Sequence, residues 1–245
     1  MIKIENIDVH GFEAAIRGMR NPKNSWEKID SYYTIFPPND EPGMFTLPAF
    51  VLGPRDLNLA KTLANAGDDH GKFLRMITVS CDITAPLYWW KEMDTYKIGT
   101  VADSCSTMHK IADKEFTLDD FSHEHLTEEI VNVLWDDNDY TDCATDHLYD
   151  TVGLLNAYRD KYLETKDKTY WWQLIQLLPS SYNQKRTWMA NYQVLKRIYH
   201  ARKDHKLDEW HDFCDWIKGL PYAKELMNID IERWEWERQM KANGK

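Results

Sequence analysis

Asn191 and Arg202 are the residues whose types and spacing most invite chemistry. They stand eleven positions apart, in ANYQVLKRIYHAR, which is about three helical turns at roughly 100° per residue. Trp188, Asn191, Leu195, Ile198 and Arg202 recur at steps of three and four. The spacing predicts a helix from about Arg186 to about Lys203, with an amide and a guanidinium on an otherwise apolar stripe. Two readings are open. Either the pair is buried and satisfied by backbone or carboxylates, or it forms a pocket wall offering hydrogen bonds to a planar or phosphorylated ligand. Under the second reading Arg202 takes its acceptor from the ligand.

Other candidates carry less. Cys105 lies between Ser104 and Ser106 with His109 four residues on, and a reactive thiol needs such a base or a positive field. His123 and His125 are two apart, a spacing that faces together only in a strand and lacks a third metal ligand. Asp136, Asp137, Asp139, Asp142 and Asp146 form an acidic run. It has neither the central Gly nor the terminal Glu of a twelve-residue calcium loop. It reads as a solvated loop leading into a helix capped by Thr145 or Asp146. No metal site is expected. Lys97, Lys110, Lys185, Arg186, Arg197 and Arg202 are the cations available to a local basic pocket, if they are not simply solvated.

Composition bounds these readings. The 245 residues suit a single domain, 1–245, with 226–245 as a helical tail, and they suffice for a sizeable core. The chain is 43% hydrophobic and 29% charged, which is globular rather than disordered. A net charge of −10 argues against nucleic-acid binding, which needs a basic face. Eleven Trp and thirteen Tyr suit aromatic cores, subunit interfaces or stacking surfaces. Cys81, Cys105, Cys143 and Cys214 are scattered with no Cys-x-x-Cys pair, as in reduced thiols. No stretch approaches a membrane span and the N-terminus does not read as a signal peptide, so a cytoplasmic protein is expected.

Along the chain, Met1 to Val9 alternates as a strand, and Phe12 to Met19 reads as a helix closed by Asn21-Pro22. Tyr32 to Pro54 contains Pro37, Pro38, Pro42, Pro48 and Pro54 and reads as a loop with an extended piece at Phe45–Leu52. Pro54 to Ala66 reads as a helix with Leu59, Leu63 and Ala66 on one face, and Leu74 to Asp82 as a strand. Pro86 reads as the first position of a helix LYWWKEM. Tyr96 to Lys110 reads as a loop and Leu126 to Trp135 as a helix. His147 to Glu164 is predicted as a long helix buried through Leu148, Val152, Leu155, Tyr158 and Tyr162. Tyr170 to Leu178, apolar nearly all round, is predicted to be central. Leu207 to Ile217 is a further helix facing inward through Leu207, Trp210, Cys214 and Ile217, ended by Gly219, Leu220 and Pro221.

The order Leu178-Pro179, a short turn, Tyr182, Trp188, Asn191, Leu195 and Arg202 resembles the C-terminal helix of the flavin-dependent thymidylate synthases. There the Asn and Arg bind flavin and nucleotide. The family's second arginine falls at Gln193, its second asparagine at Arg197, and the arginine before its Leu-Pro at Ile175. The loop YKIGTVADSCSTMHK is similar in place to the family's signature. Aligned without gaps, the Arg-His-Arg triplet falls at Thr95, Tyr96 and Lys97, and the first serine at Thr100. The Asn-Glu falls at Ala102 and Asp103, the later serine at Cys105, and the Arg-Tyr at Thr107 and Met108. A flavin-contacting histidine expected before the strand is replaced by Leu74 or Arg75. Hydroxyls and an acid persist in kind; the bidentate arginines do not.

The resemblance, to a diverged phage-type relative, covers roughly Pro54 to Ile217. It implies an α+β fold with a central sheet and several long helices, assembled as a homotetramer. It implies flavin or nucleotide contacts from Asn191, Gln193, Arg197 and Arg202. Lys97, Thr100, Asp103, Cys105 and Arg202 would line the nucleotide side. In an active member the implied reaction is reductive methylation of deoxyuridylate (dUMP), using methylenetetrahydrofolate, FAD and NADPH. With the arginines lost, FAD is expected to bind weakly or not at all. No residue stands out as a general acid or base. The other reading is a non-enzymatic homo-oligomer that binds or sequesters a nucleotide.

Overall fold

The computed structural model describes residues 2–34, 49–135 and 138–229. β1 (Lys3–His10) and α1 (Phe12–Arg20) open the chain, followed by the short β2 (Tyr32–Thr34) and β3 (Ala49–Val51) and then α2 (Pro54–Asn65). β4 (Thr78–Pro86) leads to α3 (Leu87–Met93), β5 (Thr100–Ser104) and α4 (Thr107–Lys110). β6 (Val131–Trp135), β7 (Asn138–Asp142), α5 (Ala144–Thr165) and α6 (Lys168–Leu177) come next. β8 (Asn183–Asn191), α7 (Tyr192–Arg202), α8 (Asp208–Lys218) and α9 (Ala223–Met227) complete the described part. The architecture is α+β, with a four-stranded antiparallel sheet in the order β1-β4-β8-β5. The extended piece expected from Phe45 is described only from Ala49. The prolines at 37, 38, 42 and 48 and the tail beyond 229 lie outside the described residues.

The chain divides into two compact units. The first is Met1–Glu5, Asp82–Thr95 and Ala102–Trp188; the second is Asn6–Cys81, Tyr96–Val101 and Met189–Lys245. Each strand of the sheet contributes residues to both.

In the first unit, Leu148, Leu155 and Leu174 from α5 and α6 pack with Ile111, Phe116 and Phe121 into one buried cluster. Val152, Tyr158 and Tyr162 lie against it, so the predicted stripe of the long helix is the one that is used. Asn156 fastens the segment before the cluster: its Oδ1 accepts from Phe116 N at 2.8 Å, and its Nδ2 donates to Phe116 O at 2.9 Å. α6 is not central. Leu174 is fully buried, while Trp172 and Leu177 are 44% and 41% exposed, because one side of the helix faces away from α5.

Two further expectations fail in this unit. The segment read as a helix ending at Trp135 contains β6, paired antiparallel with β7 from Val131↔Asp142 to Trp135↔Asn138. Val131 and Val133 oppose Asp142 and Tyr140, and β-branched residues fit such a ladder better than a helix. Part of the acidic run is therefore strand. α5 is capped by Cys143, whose Sγ accepts from Asp146 N at 3.3 Å. Thr145 and Asp146 lie inside the helix.

In the second unit, Phe12, Ile16, Leu195, Ile198, Trp210, Phe213 and Ile217 are buried. The inward face of α8 is the predicted one for Trp210, Cys214 and Ile217. α2 turns differently: it buries Asp56, Ala60 and Ala64, whereas Ala66 is exposed. Asp56 draws that face inward. Its Oδ1 meets Arg20 Nη2 at 2.6 Å and Nε at 2.7 Å. Its Oδ2 accepts from Asp30 N, Ser31 N and Ser31 Oγ. Asp30 returns the contact, accepting from the backbone N–H groups of Arg55 and Asp56 at the start of α2. Gly71–Met76 forms a 3-10 segment, so the strand read from Leu74 begins at Thr78. Pro86 ends that strand and caps α3 instead of starting it.

Candidate functional site

The stretch read as one helix from Arg186 is a strand and a helix. β8 runs to Asn191 and α7 starts at Tyr192. Trp188 is a buried strand residue and does not share the α7 face with Leu195 and Ile198. β8 does alternate, with Gln184, Trp188 and Ala190 buried and Lys185 and Thr187 turned outward. The inward set contains polar residues because each has a partner. Gln184 Nε2 donates to Cys105 O at 2.8 Å, and Trp90 Nε1 donates to Gln184 O at 2.9 Å. Arg186 lies with its guanidinium 4.2 Å from the Trp90 ring centre and donates to Asp94 at 2.8 Å.

Within the first unit, Cys105 to Lys110 meets the start of β8 and encloses a cleft of about 260 Å³. Cys105 N donates to Lys185 O at 2.9 Å, fixing that wall. The lining includes Cys105, Lys110, Lys114, Tyr182, Asn183 and Lys185, with Asp119 and Asp120 on the opposing segment. The volume approaches the lower end of small-molecule sites, roughly 300 Å³.

Three lysines and two aspartates line the cleft, and each lysine is paired with a carboxylate. Lys185 pairs with Asp82 at 3.0 Å, and that hydrogen bond holds its ammonium above the ordinary lysine value. Lys110 pairs with Asp113 at 2.7 Å, with the same effect, and Lys114 pairs with Asp120. Burial, reinforced by the charges of Asp120 and Cys105, pushes the Tyr182 hydroxyl up, so it stays protonated and can donate. Cys105 is the exposed thiol of the four; Cys81, Cys143 and Cys214 are buried. The lining thus offers ammonium, phenol and hydroxyl donors, with the Asp119 and Asp120 carboxylates among them.

The other expected site residues fall in two groups. Asp103 belongs to the first unit and is exposed on β5. Lys97, Thr100, Asn191, Gln193, Arg197 and Arg202 belong to the second. There Asn191 is the N-cap of α7, its Oδ1 accepting from Val194 N at 3.1 Å. Gly99, at φ +80, lets the chain pass this cap: a Cβ there would lie 2.9 Å from Asn191 Nδ2. Gln193 is buried and donates to Asp68 Oδ1 at 2.8 Å, and Arg197 pairs with Asp68 Oδ2. Lys97 is exposed, and the Thr100 hydroxyl donates to Tyr96 O.

Arg202 has an acceptor within the protein. Its Nε donates to the Tyr96 hydroxyl at 2.8 Å. Its guanidinium stands 4.6 Å from the Trp210 ring centre and 5.5 Å from that of Tyr96. Gln193 and Arg197 share Asp68, and the Arg197–Asp68 pair is exposed to solvent. Sequence reasoning missed Asn183, Tyr182 and Lys114 as lining residues; only the nearness of Tyr182 to Leu-Pro hinted at them. Among the described residues no group of His, Cys, Asp and Glu could hold a metal.

No family model matches the sequence, and no curated protein matches it. The fold does match: it is that of the flavin-dependent thymidylate synthases. ThyX from Helicobacter pylori, complexed with FAD and dUMP, superposes with a TM-score of 0.61 at 16% identity, covering 92% of this chain and 97% of the other. A second structure of that enzyme with FAD and dUMP gives 0.59, also at 16%. PolB, a UMP/dUMP methylase from Streptomyces cacaoi bound with 5-Br dUMP, gives 0.55 at 14%, covering 93% and 95%. At these identities the likeness is one of fold.

Proposed function

We propose that the chain binds a pyrimidine deoxynucleotide, dUMP being the first candidate, in the cleft of the first unit, and that it does so without a tightly held flavin. One observation carries this reading. Cys105, one of the residues that the resemblance puts on the nucleotide side, lies on the segment that walls a cleft lined by Lys110, Lys114 and Lys185. The fold neighbours, which are dUMP complexes or a dUMP-analogue complex, supply the ligand class. The commitment of Asn191, Gln193 and Arg197 to partners in their own unit favours nucleotide binding over flavin chemistry. The reading extends to a homotetramer, supported by the exposed Tyr149, Leu154, Leu163, Trp172 and Leu177 on α5 and α6. Light scattering at the monomer mass of 29.1 kDa would remove that part.

Calorimetric titration tests the main part. The purified protein is expected to show no flavin absorbance near about 450 nm and to bind dUMP with a dissociation constant of roughly micromolar order. Stoichiometric FAD in the purified protein would restore the enzyme reading. Absence of heat with dUMP would end the nucleotide one.

A further inference from the structure

The four-stranded sheet ends in β1 on one side and β5 on the other, and the two edges differ in character. β1 carries Lys3, Glu5 and Asp8, and Asn6 turns its backbone to φ +52. Charges and a break in the extended backbone both discourage further strand pairing. β5 is exposed from Val101 to Ser104 and holds one charge, Asp103. It contains neither proline nor a left-handed residue. Val101 is 61% exposed, and Ile98, in the turn just before the strand, is 90% exposed. The open side of β5 follows from its phase. Cys105, next after the strand, donates its N–H to Lys185 O of β8. Alternate residues bond to a given neighbour, so Val101 and Asp103 also turn toward β8. Thr100, Ala102 and Ser104 then present their N–H and C=O groups to the open side. Among the described residues, the Ala102 and Ser104 backbones meet no partner on that side.

We infer that this edge is an interface between two copies of the chain, β5 pairing antiparallel with β5 of a second copy about a two-fold axis at Ala102. A two-fold contact uses the same surface on both copies, which must therefore complement itself. With Ala102 opposite Ala102 of the second copy, Thr100 stands opposite Ser104. All the outward residues of one strand then meet those of the other, and a hydroxyl pair reinforces the ladder. A shift along the strand leaves one of them unmatched. Asp103 falls opposite Val101 and not directly opposite another carboxylate. The inference rests on the homo-oligomer reading above and locates one of its interfaces. A tetramer built from two-fold axes needs two different self-complementary surfaces, and β5 supplies one that α5 and α6 do not.

Light scattering on charge variants tests it. Ala102→Lys and Ala102→Glu each set like charges directly opposite one another at the axis, which opposes pairing. Either variant alone is expected to weaken the association by about tenfold or more. It should then run at half the mass of the wild type, at a concentration where the wild type is assembled. An equimolar mixture of the two variants is expected to return to the wild-type mass, lysine meeting glutamate across the axis. Wild-type mass in both variants, or a mixture that stays at half mass, overturns the inference and leaves the homo-oligomer reading standing. So does circular dichroism showing that either variant has lost its fold, because an exposed edge residue should tolerate a charge. A wild type that runs at 29.1 kDa overturns both.

Discussion

Asp56→Ala is expected to lower the stability of the fold by about 3–5 kcal/mol. Arg20 and Asp56 are 5% and 0% exposed, so neither charge has water to fall back on. Removing the carboxylate strands a buried guanidinium and leaves the N–H groups of Asp30 and Ser31 without their acceptor. Denaturant unfolding measures the loss. The double replacement Arg20→Met with Asp56→Leu should recover most of it, because the cost lies in the unpaired charge more than in the missing contact. A loss under about 1 kcal/mol, the range of an exposed pair, would contradict the account. Acid gives a second readout at the same place. Burial works against ionisation of Asp30, but the backbone N–H groups of Arg55 and Asp56 and the Arg55 side chain outweigh it, holding its carboxyl below the ordinary value. The unfolded chain therefore takes up this proton first. The contribution is fully present above about pH 4 and is lost as pH falls through the lowered folded value. Asp30→Asn should flatten that part of the acid limb.

Arg202→Ala is expected to cost about 2–3 kcal/mol in the protein without ligand. It removes a charged hydrogen bond to Tyr96, on a scale of roughly 1.5–3 kcal/mol, and stacking on Trp210 and Tyr96, roughly 0.5–2 kcal/mol. Part of this is screened because the residue is only half-buried. For a chain of this length, that is a fall in the thermal midpoint of about 5–10 °C. Were the guanidinium held for a ligand, the ligand-free midpoint would not move. An unchanged midpoint would return Arg202 to the list of binding residues.

Arg202 also shows how much of the molecule was legible in the sequence. Leu195, Ile198 and Arg202 were correctly placed on one helix, since three-and-four spacing is a local signal. The partners of Arg202 were not, because Tyr96 and Trp210 are distant in sequence and an aromatic has no spacing that marks it as a guanidinium platform. β8 was hidden for a related reason. Its inward positions include Gln184 and Arg186, which are satisfied by Cys105, Trp90 and Asp94, so the apolar alternation that identifies a strand was missing. The face of α2 was misjudged because Asp56 is buried, and its burial depends on Arg20, thirty-six positions away. The α+β architecture and the long α5 were readable because they rest on apolar periodicity. The cleft was half readable: Cys105 was singled out, whereas Asn183 and Lys114 carry no motif and enter only through the packing of β8 against the signature segment.

The central claim is that a nucleotide occupies the cleft beside Cys105, and the thiol itself can report it. Cys105 is exposed, while Cys81, Cys143 and Cys214 are buried, and burial pushes the Cys214 thiol up to about 12. A disulfide reagent such as DTNB should therefore modify one cysteine in the folded protein, identifiable as Cys105 by peptide mass mapping. Saturating dUMP is predicted to slow that modification by at least about tenfold, the protection expected when nine-tenths or more of the sites are filled. Modification of Cys105 at the same rate with and without dUMP, under conditions where calorimetry shows dUMP bound, would place the nucleotide elsewhere and contradict the account.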